Sequence, residues 1–215
     1  MSTHKDYAYA ALIGFFAGIF AIPALVNVGV RDPLLLALVP WLAALLLSGG
    51  VRLGGFLGRW VAFLPQFAKF VAVGFLNTAI DFGILNLLSS ASGVQAGFII
   101  GGVNVPGFTI AIFNSYLWNQ LWVFRGRQEE EGLFHDFPRF LAVTIGGVLI
   151  NSGIVILLTT FVHPLWWFSP GQWLNIAKAL ATVVTLVWNF VGFKFLVFRR
   201  RLLQSVPVDN RPRAQ

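Results

Sequence analysis

Asp81 is the only acidic residue inside any of the long apolar runs of this chain. An ionised aspartate near the centre of a membrane helix costs about 2.5–3.5 kcal/mol on insertion scales, so it should face a counter-charge or a wet cavity. Asn77 lies one helical turn earlier, on the same face. Lys178 falls toward the far end of the last apolar run, at about the depth of Asp81, and an Asp81–Lys178 pair is the natural expectation. Such a pair serves equally well as a clamp between helices or as part of a substrate path. The last run also carries a polar stripe, because Asn175, Lys178, Thr182, Thr185 and Asn189 recur at three- and four-residue steps and share one face. Interhelical hydrogen bonding accounts for such residues in many bundles. A stripe running through most of the membrane with a cation in it fits a groove for a sugar head group better. At the other end of the membrane, Lys194, Arg125 and Arg199 sit at headgroup depth, where a lipid phosphate or pyrophosphate would rest. Arginine can hold phosphate oxygens in bidentate fashion and lysine offers a point charge. Lys194, five residues inside Arg199, is the better ligand, whereas Arg200 and Arg201 read as ordinary anchors.

Other chemistries lack their parts. There is no cysteine, and His4, His135 and His163 are scattered over ends and loops, so neither a disulfide nor a metal site is expected. No Gly-x-x-x-x-Gly-Lys-Ser/Thr loop is present, which argues against ATP hydrolysis. No paired carboxylates or nucleophile–base set lies in the apolar runs, so the chain is not expected to be an enzyme and no cofactor is implied.

The elements that must position these residues are membrane helices. Of the 215 residues 57% are hydrophobic and 11% charged, with a mean hydropathy of +0.78, where a soluble domain carries about 25% charged residues. Apolar runs of about 20 residues can cross a bilayer as helices, whereas a barrel would need short alternating segments. The expected fold is an all-α integral membrane protein with six transmembrane helices, over 7–28, 33–48, 67–90, 98–124, 137–162 and 173–198. Leu53, Phe56, Leu57, Trp60, Phe63, Leu64 and Phe67 recur at helical spacing between them, which suits an amphipathic helix in the headgroup plane. The alternative, raised by the five glycines from Gly49 to Gly58, is a frayed end of the second span. The net charge of +7 collects in short stretches on one side, where it sets orientation and meets anionic headgroups rather than nucleic acid. That side is read as the cytoplasm and holds both termini. Trp60, Trp122 and Phe124 then form its aromatic belt, and Trp166, Trp167 and Trp173 the outer one.

The chain repeats itself. Phe70-Val71-Ala72-Val73 matches Phe140-Leu141-Ala142-Val143 at an offset of 70, which also sets Asp81 on Asn151 and Gly83 on Gly153. The helix after each copy ends alike, in Trp122-Val123-Phe124-Arg125 and in Leu196-Val197-Phe198-Arg199. The last four spans therefore read as two helical hairpins in parallel repeat, related by a pseudo-two-fold axis along the membrane normal.

The Val-Gly-x-x-Asn-Thr-x-x-Asp run within Phe70 to Asn86, together with the two aromatic-Val-Phe-Arg ends, resembles the GtrA-like family of small bacterial membrane proteins. The resemblance covers about residues 66–200. It leaves 1–65 as an N-terminal extension with two spans and the amphipathic segment, and 201–215 as a disordered cytoplasmic tail. It implies translocation of a polyprenyl-phosphate-linked monosaccharide across the bacterial inner membrane for cell-surface polysaccharide synthesis, beside a glycosyltransferase that makes or uses that lipid. Family members often place an asparagine and a basic residue just before each aromatic-Val-Phe end. Asn119-Gln120 fills the first such position and Phe193-Lys194 the second. Gln120 departs from that pattern, which implies unequal roles for the two copies. On this reading the phosphate engages Lys194, Arg125 and Arg199 with Asn119 and Gln120. The sugar follows the stripe toward Asp81, Asn77, Asn151 and Lys178, while the polyprenyl tail stays in the lipid. The rivals are a membrane anchor that recruits a glycosyltransferase without transport, and a small proton-coupled exporter with Asp81 as proton carrier. Few spans and many small residues favour a homo-oligomer.

The orientation is checked by single cysteines. Arg127→Cys and Ser205→Cys should react with an impermeant thiol reagent only from the cytoplasmic side, and Gln95→Cys or Gly171→Cys only from outside. Labelling of Arg127→Cys and Gln95→Cys from one side refutes the six-crossing topology.

Overall fold

The computed structural model of the chain describes residues 4–27, 29–93, 99–124, 133–162 and 170–198, with the side chains of 99–104, 152, 155, 159, 160 and 170–179 outside that description. Six helices follow one another: α1 (His4–Asn27), α2 (Pro33–Leu57), α3 (Leu64–Ser92), α4 (Ile99–Trp118), α5 (Phe137–Phe161) and α6 (Pro170–Gly192). Two of them end in a π-helical turn, α4 over Asn119–Val123 and α6 over Phe193–Val197. No strand occurs among the described residues. Five helices (α1, α2, α3, α5 and α6) are long and apolar enough to cross a membrane. α4, whose side chains are described only from Val105 onward, is not among them. Leu45 and Leu46 of α2 are 71% and 70% exposed, a surface that lipid tolerates. The molecule is an all-helical membrane protein.

Two boundaries differ from the sequence reading in ways that matter. α2 runs unbroken to Leu57, and α3 starts at Leu64 after a short turn, so the in-plane amphipathic helix is not formed. Its apolar residues instead finish one helix and begin the next. In lipid, the backbone must satisfy its own hydrogen bonds, which holds a helix together through glycines that would fray it in water. α1 also starts earlier than expected, at His4, which brings Asp6 into its first turn and makes it a second acidic residue within the apolar helices.

The described chain forms two compact units, residues 1–125 and 126–215. The boundary expected between 65 and 66 lies inside the first unit, where α1 and α2 both pack on α3. Small residues bring these helices together. Gly14 and Gly18, spaced as Gly-x-x-x-Gly, lie against the backbone of Ala43 and Pro40 on α2. Gly83 of α3 lies against the Phe20 carbonyl of α1. Such close approach is how helices associate where lipid removes any hydrophobic drive between them. The turn from α1 to α2 uses Gly29 at φ 100°. Asp32 then caps α2 by accepting from the Leu34 and Leu35 amides at 2.8 and 3.1 Å, just ahead of Pro33 at the first helical position.

A charged contact ties the first and third helices, which also meet where Asn27 donates to Asn86 at 2.7 Å. Asp6 meets the Lys69 ammonium at 2.6 Å, with their side chains 7% and 15% exposed. The same carboxylate oxygen accepts from the Trp122 indole at 2.9 Å. Removing one partner strands a buried charge and costs about 3–5 kcal/mol, whereas neutral replacement of both is often tolerated. Asp6→Asn or Lys69→Met should therefore lower the detergent melting temperature strongly, and the double variant less than either. Additive losses in a double-mutant cycle would mean that the two charges do not meet.

Candidate functional site

The π-helical turns place the residues nearest the two aromatic-Val-Phe ends. Each turn closes with an i to i+5 bond, Phe124 N–H to the Asn119 carbonyl at 2.8 Å and Phe198 N–H to the Phe193 carbonyl at 2.7 Å. The closing residues share their backbone shape, with φ, ψ of −112°, 31° at Phe124 and −101°, 36° at Phe198. A π-turn rotates the side chains beyond it and is frequent at functional sites. Gln66 of α3 donates to the Val123 carbonyl at 3.1 Å, taking up an acceptor that the widened turn leaves free. Nothing in hydropathy signals this geometry; the matched sequence ends do.

Within the first turn, Asn119 is fully buried and Gln120 is 9% exposed. The Asn119 amide donates to the Ser115 carbonyl at 2.8 Å, yet its Oδ1 and the Gln120 Oε1 have no hydrogen-bond partner. Trp122 lies 2% exposed beneath Lys69, whose ammonium is 5.7 Å from the ring, and Tyr9 of α1 packs edge-on against Trp118 and Trp122. At the second turn Phe193 stacks on Phe140 of α5 with centroids 4.5 Å apart. Lys194, half-buried, lies between Phe190 and Phe195, 5.7 and 5.5 Å from their ring centres, a cation–π setting that holds the charge with no acidic partner among the described residues. Arg125 and Arg199 lie outside the described residues.

The deeper polar positions pair mostly across neighbouring helices. Asn114 of α4 donates to Asn77 of α3 at 2.7 Å. Asn151 of α5 donates to Thr185 of α6 at 3.2 Å. Asn189 sits close against Gly147, and its Oδ1 has no hydrogen-bond partner. Thr185 and Asn189 thus turn toward α5, while Thr182 of the same stripe is exposed. Asp81 faces Gly107 of α4, where an added Cβ would lie 3.2 Å from the carboxylate. Its Oδ1 is buried and has no hydrogen-bond partner. The reason lies in the sequence: 70 residues on from Asp81 stands Asn151, bonded to Thr185, but 74 residues back from Thr185 stands Ala111, which has nothing to donate. The side chains of Asn175 and Lys178 lie outside the description, so the expected Asp81–Lys178 pair does too.

Sequence reasoning missed Asp6, Gln66 and Asn114, counted Lys69 only within the net charge of the basic side, and took Trp122 for a belt residue. Their partners stand 37 to 116 positions away, and no spacing pattern announces such pairs. The Gly14–Gly18 motif and the Asn-x-x-x-Asp turn were the local signals available.

The GtrA/DPMS transmembrane-domain model matches residues 69–198. The chain belongs to that family. A membrane protein of Bacillus subtilis (strain 168) named YngA and described as uncharacterized is 31% identical over 144 residues, 66% of this chain and 86% of YngA. A second from the same organism, YwcD, also described as uncharacterized, is 22% identical over 138 residues, 64% of this chain and 99% of YwcD. No solved structure matches the chain. The family segment opens at Lys69, the partner of Asp6, so helix α1 from outside that segment supplies its first residue with a counter-charge.

Asn151→Ala breaks an interhelical hydrogen bond, and bonds of this kind in helical membrane proteins average about 0.6 kcal/mol. Asp81→Ala breaks none. Chemical unfolding in mixed micelles should show Asn151→Ala destabilised by about that amount and Asp81→Ala by less, or even stabilised. A larger loss from Asp81→Ala would mean that the carboxylate holds the fold.

Proposed function

We propose that the chain translocates a polyprenyl-phosphate-linked monosaccharide across the bacterial inner membrane, with both termini in the cytoplasm. The observation that carries this reading is a set of buried acceptors without donors: Asp81 Oδ1, Asn119 Oδ1, Gln120 Oε1 and Asn189 Oδ1. Buried polar atoms are normally bonded, and in lipid the cost of leaving them bare is higher still. All four are oxygens, and a sugar is a ligand rich in O–H donors. Asp81, Asn119 and Gln120 within the first unit, and Asn189 within the second, each offer such a head group a hydrogen bond in place of water.

Family membership supports the lipid-linked part of the reading, and the two matched π-turns support two parallel hairpins related along the membrane normal. Lys194, held by aromatic rings and not by a carboxylate, is the residue that meets the phosphate, with Arg125 and Arg199 beside it. Asn119 and Gln120 serve the first hairpin without charge, so the two halves work unequally. The chain itself performs no chemistry on the lipid. Direction comes from consumption of the lipid on the far side or from an ion gradient, and a neighbouring glycosyltransferase supplies or uses the substrate. A homo-oligomer fits the small residues along the helices.

Purified protein in liposomes tests the reading with a labelled polyprenyl-phosphate monosaccharide. Flux should exceed that of protein-free vesicles; in folded protein Asp81→Asn should lower it at least about tenfold, since a charged hydrogen bond is worth about 1.5–3 kcal/mol, and Gln120→Leu about two- to tenfold, since a neutral one is worth about 0.5–1.5 kcal/mol. Lys194→Ala should weaken lipid binding more than Arg201→Ala does. No flux from folded wild type leaves the anchor reading, and flux that follows an imposed pH gradient favours the exporter.

A further inference from the structure

Helices α1, α2 and α3 enclose a groove of about 630 Å3 in which every lining residue is apolar. That volume lies in the range of about 300–1,000 Å3 usual for ligand sites. Small residues from all three helices make it deep, among them Ala17, Ala43, Gly50 and Ala72. Along α3 it runs from Leu64 to Ala79, or about 22 Å at 1.5 Å per residue, most of the depth of a bilayer's hydrocarbon core. The groove is therefore long, deep and without a hydrogen-bonding side chain, the shape of a seat for one extended hydrocarbon chain.

Its Leu57–Leu64 end reaches the α2–α3 turn, and this end is charged. Arg59 in that turn and Arg52, about two helical turns earlier, are both exposed. Arg59 rests over the Phe56 ring at 5.0 Å. Neither arginine has a carboxylate partner among the described residues. Guanidinium groups at the mouth of an apolar groove complement a chain that ends in a phosphate.

We infer that this groove seats the first isoprene units of a polyprenyl phosphate, with Arg52 and Arg59 at its phosphate. The inference rests on the reading of the chain as a carrier of polyprenyl-linked sugar; it moves the lipid tail from the bulk bilayer onto the protein, and gives the phosphate of the seated lipid a contact at Arg52 and Arg59 in addition to the one at Lys194. A single chain with one phosphate fits one groove with one charged mouth. A diacyl phospholipid would leave its second chain outside. The seat is built by residues 1–65 together with α3, and so gives the helices outside the family segment a task of their own.

Gly50 provides the test, because it lines the groove and a Cβ there meets nothing within 4 Å, so a larger side chain fills the space without disturbing the fold. Gly49 is equally open but does not line the groove. The full chain in detergent is mixed with a diazirine-bearing polyprenyl phosphate, and separately with diazirine-bearing phosphatidylglycerol, then irradiated and mapped. Polyprenyl phosphate should crosslink to α1–α3 peptides. Gly50→Phe should cut that labelling at least tenfold, and Gly50→Leu less, while Gly49→Phe leaves it unchanged. Arg52→Gln with Arg59→Gln should weaken retention of polyprenyl phosphate at least fivefold and leave uncharged polyprenol unaffected. Undiminished labelling in folded Gly50→Phe, or equal labelling by phosphatidylglycerol, overturns the proposal. Liposome flux measured in parallel separates the two readings. Groove labelling without flux upholds the seat and removes translocation, and flux without groove labelling does the reverse.

Discussion

The buried contact of Asp6 with Lys69 and Trp122 is the constraint around which the first compact unit is organised. A lysine near the start of a membrane helix would normally reach outward to headgroups and water. Here its ammonium is covered, with Trp122 beneath it and the Asp6 carboxylate in front of it. The indole N–H shares the same carboxylate oxygen, so three helical segments meet at one charged point. Away from water the attraction between the charges grows, and so does the cost of separating them. The position of α1 is thus set at one end by charge, and along its length by glycines that admit only backbone contact.

Positions 70 or 74 apart show how differently the two units meet similar demands. Lys69 finds its carboxylate on another helix, while Arg139 finds Asp136 on its own, at 3.2 Å and with the guanidinium largely exposed. Trp122 is covered by α1, whereas Leu196, at the matching place in the second π-turn, is 60% exposed. Asn151 bonds to Thr185, whereas the Asp81 carboxylate faces Gly107. The backbone turn is kept in both, and the side chains around it diverge. Divergence of this kind leaves Asp81 a bare acceptor where Asn151 is bonded.

Glycine does two kinds of work in the first unit. Where it faces a neighbouring backbone, at Gly14, Gly18 and Gly83, it sets the distance between helices. Where it faces open space, at Gly50, it deepens a groove. Water would penalise so many glycines in one helix, but a bilayer offers the backbone no competing hydrogen bonds, and α2 persists to Leu57.

Composition and hydropathy by themselves determined that this is a helical membrane protein, where most of its helices begin and end, and that two of those helices finish alike. These are local properties: hydropathy is summed along the chain, and the paired Val-Phe-Arg ends are read residue by residue. The family also followed from local motifs. What the tertiary structure decided is which polar residues meet. Asp6 with Lys69, Asn77 with Asn114 and Gln66 with the Val123 carbonyl each depend on how a helix is rotated about its axis and how far it is shifted past its neighbour. In a chain that is apolar on nearly every face, hydrophobic periodicity says little about that rotation. It is set by close packing at glycines and by the few buried polar groups, whose partners lie dozens of residues away.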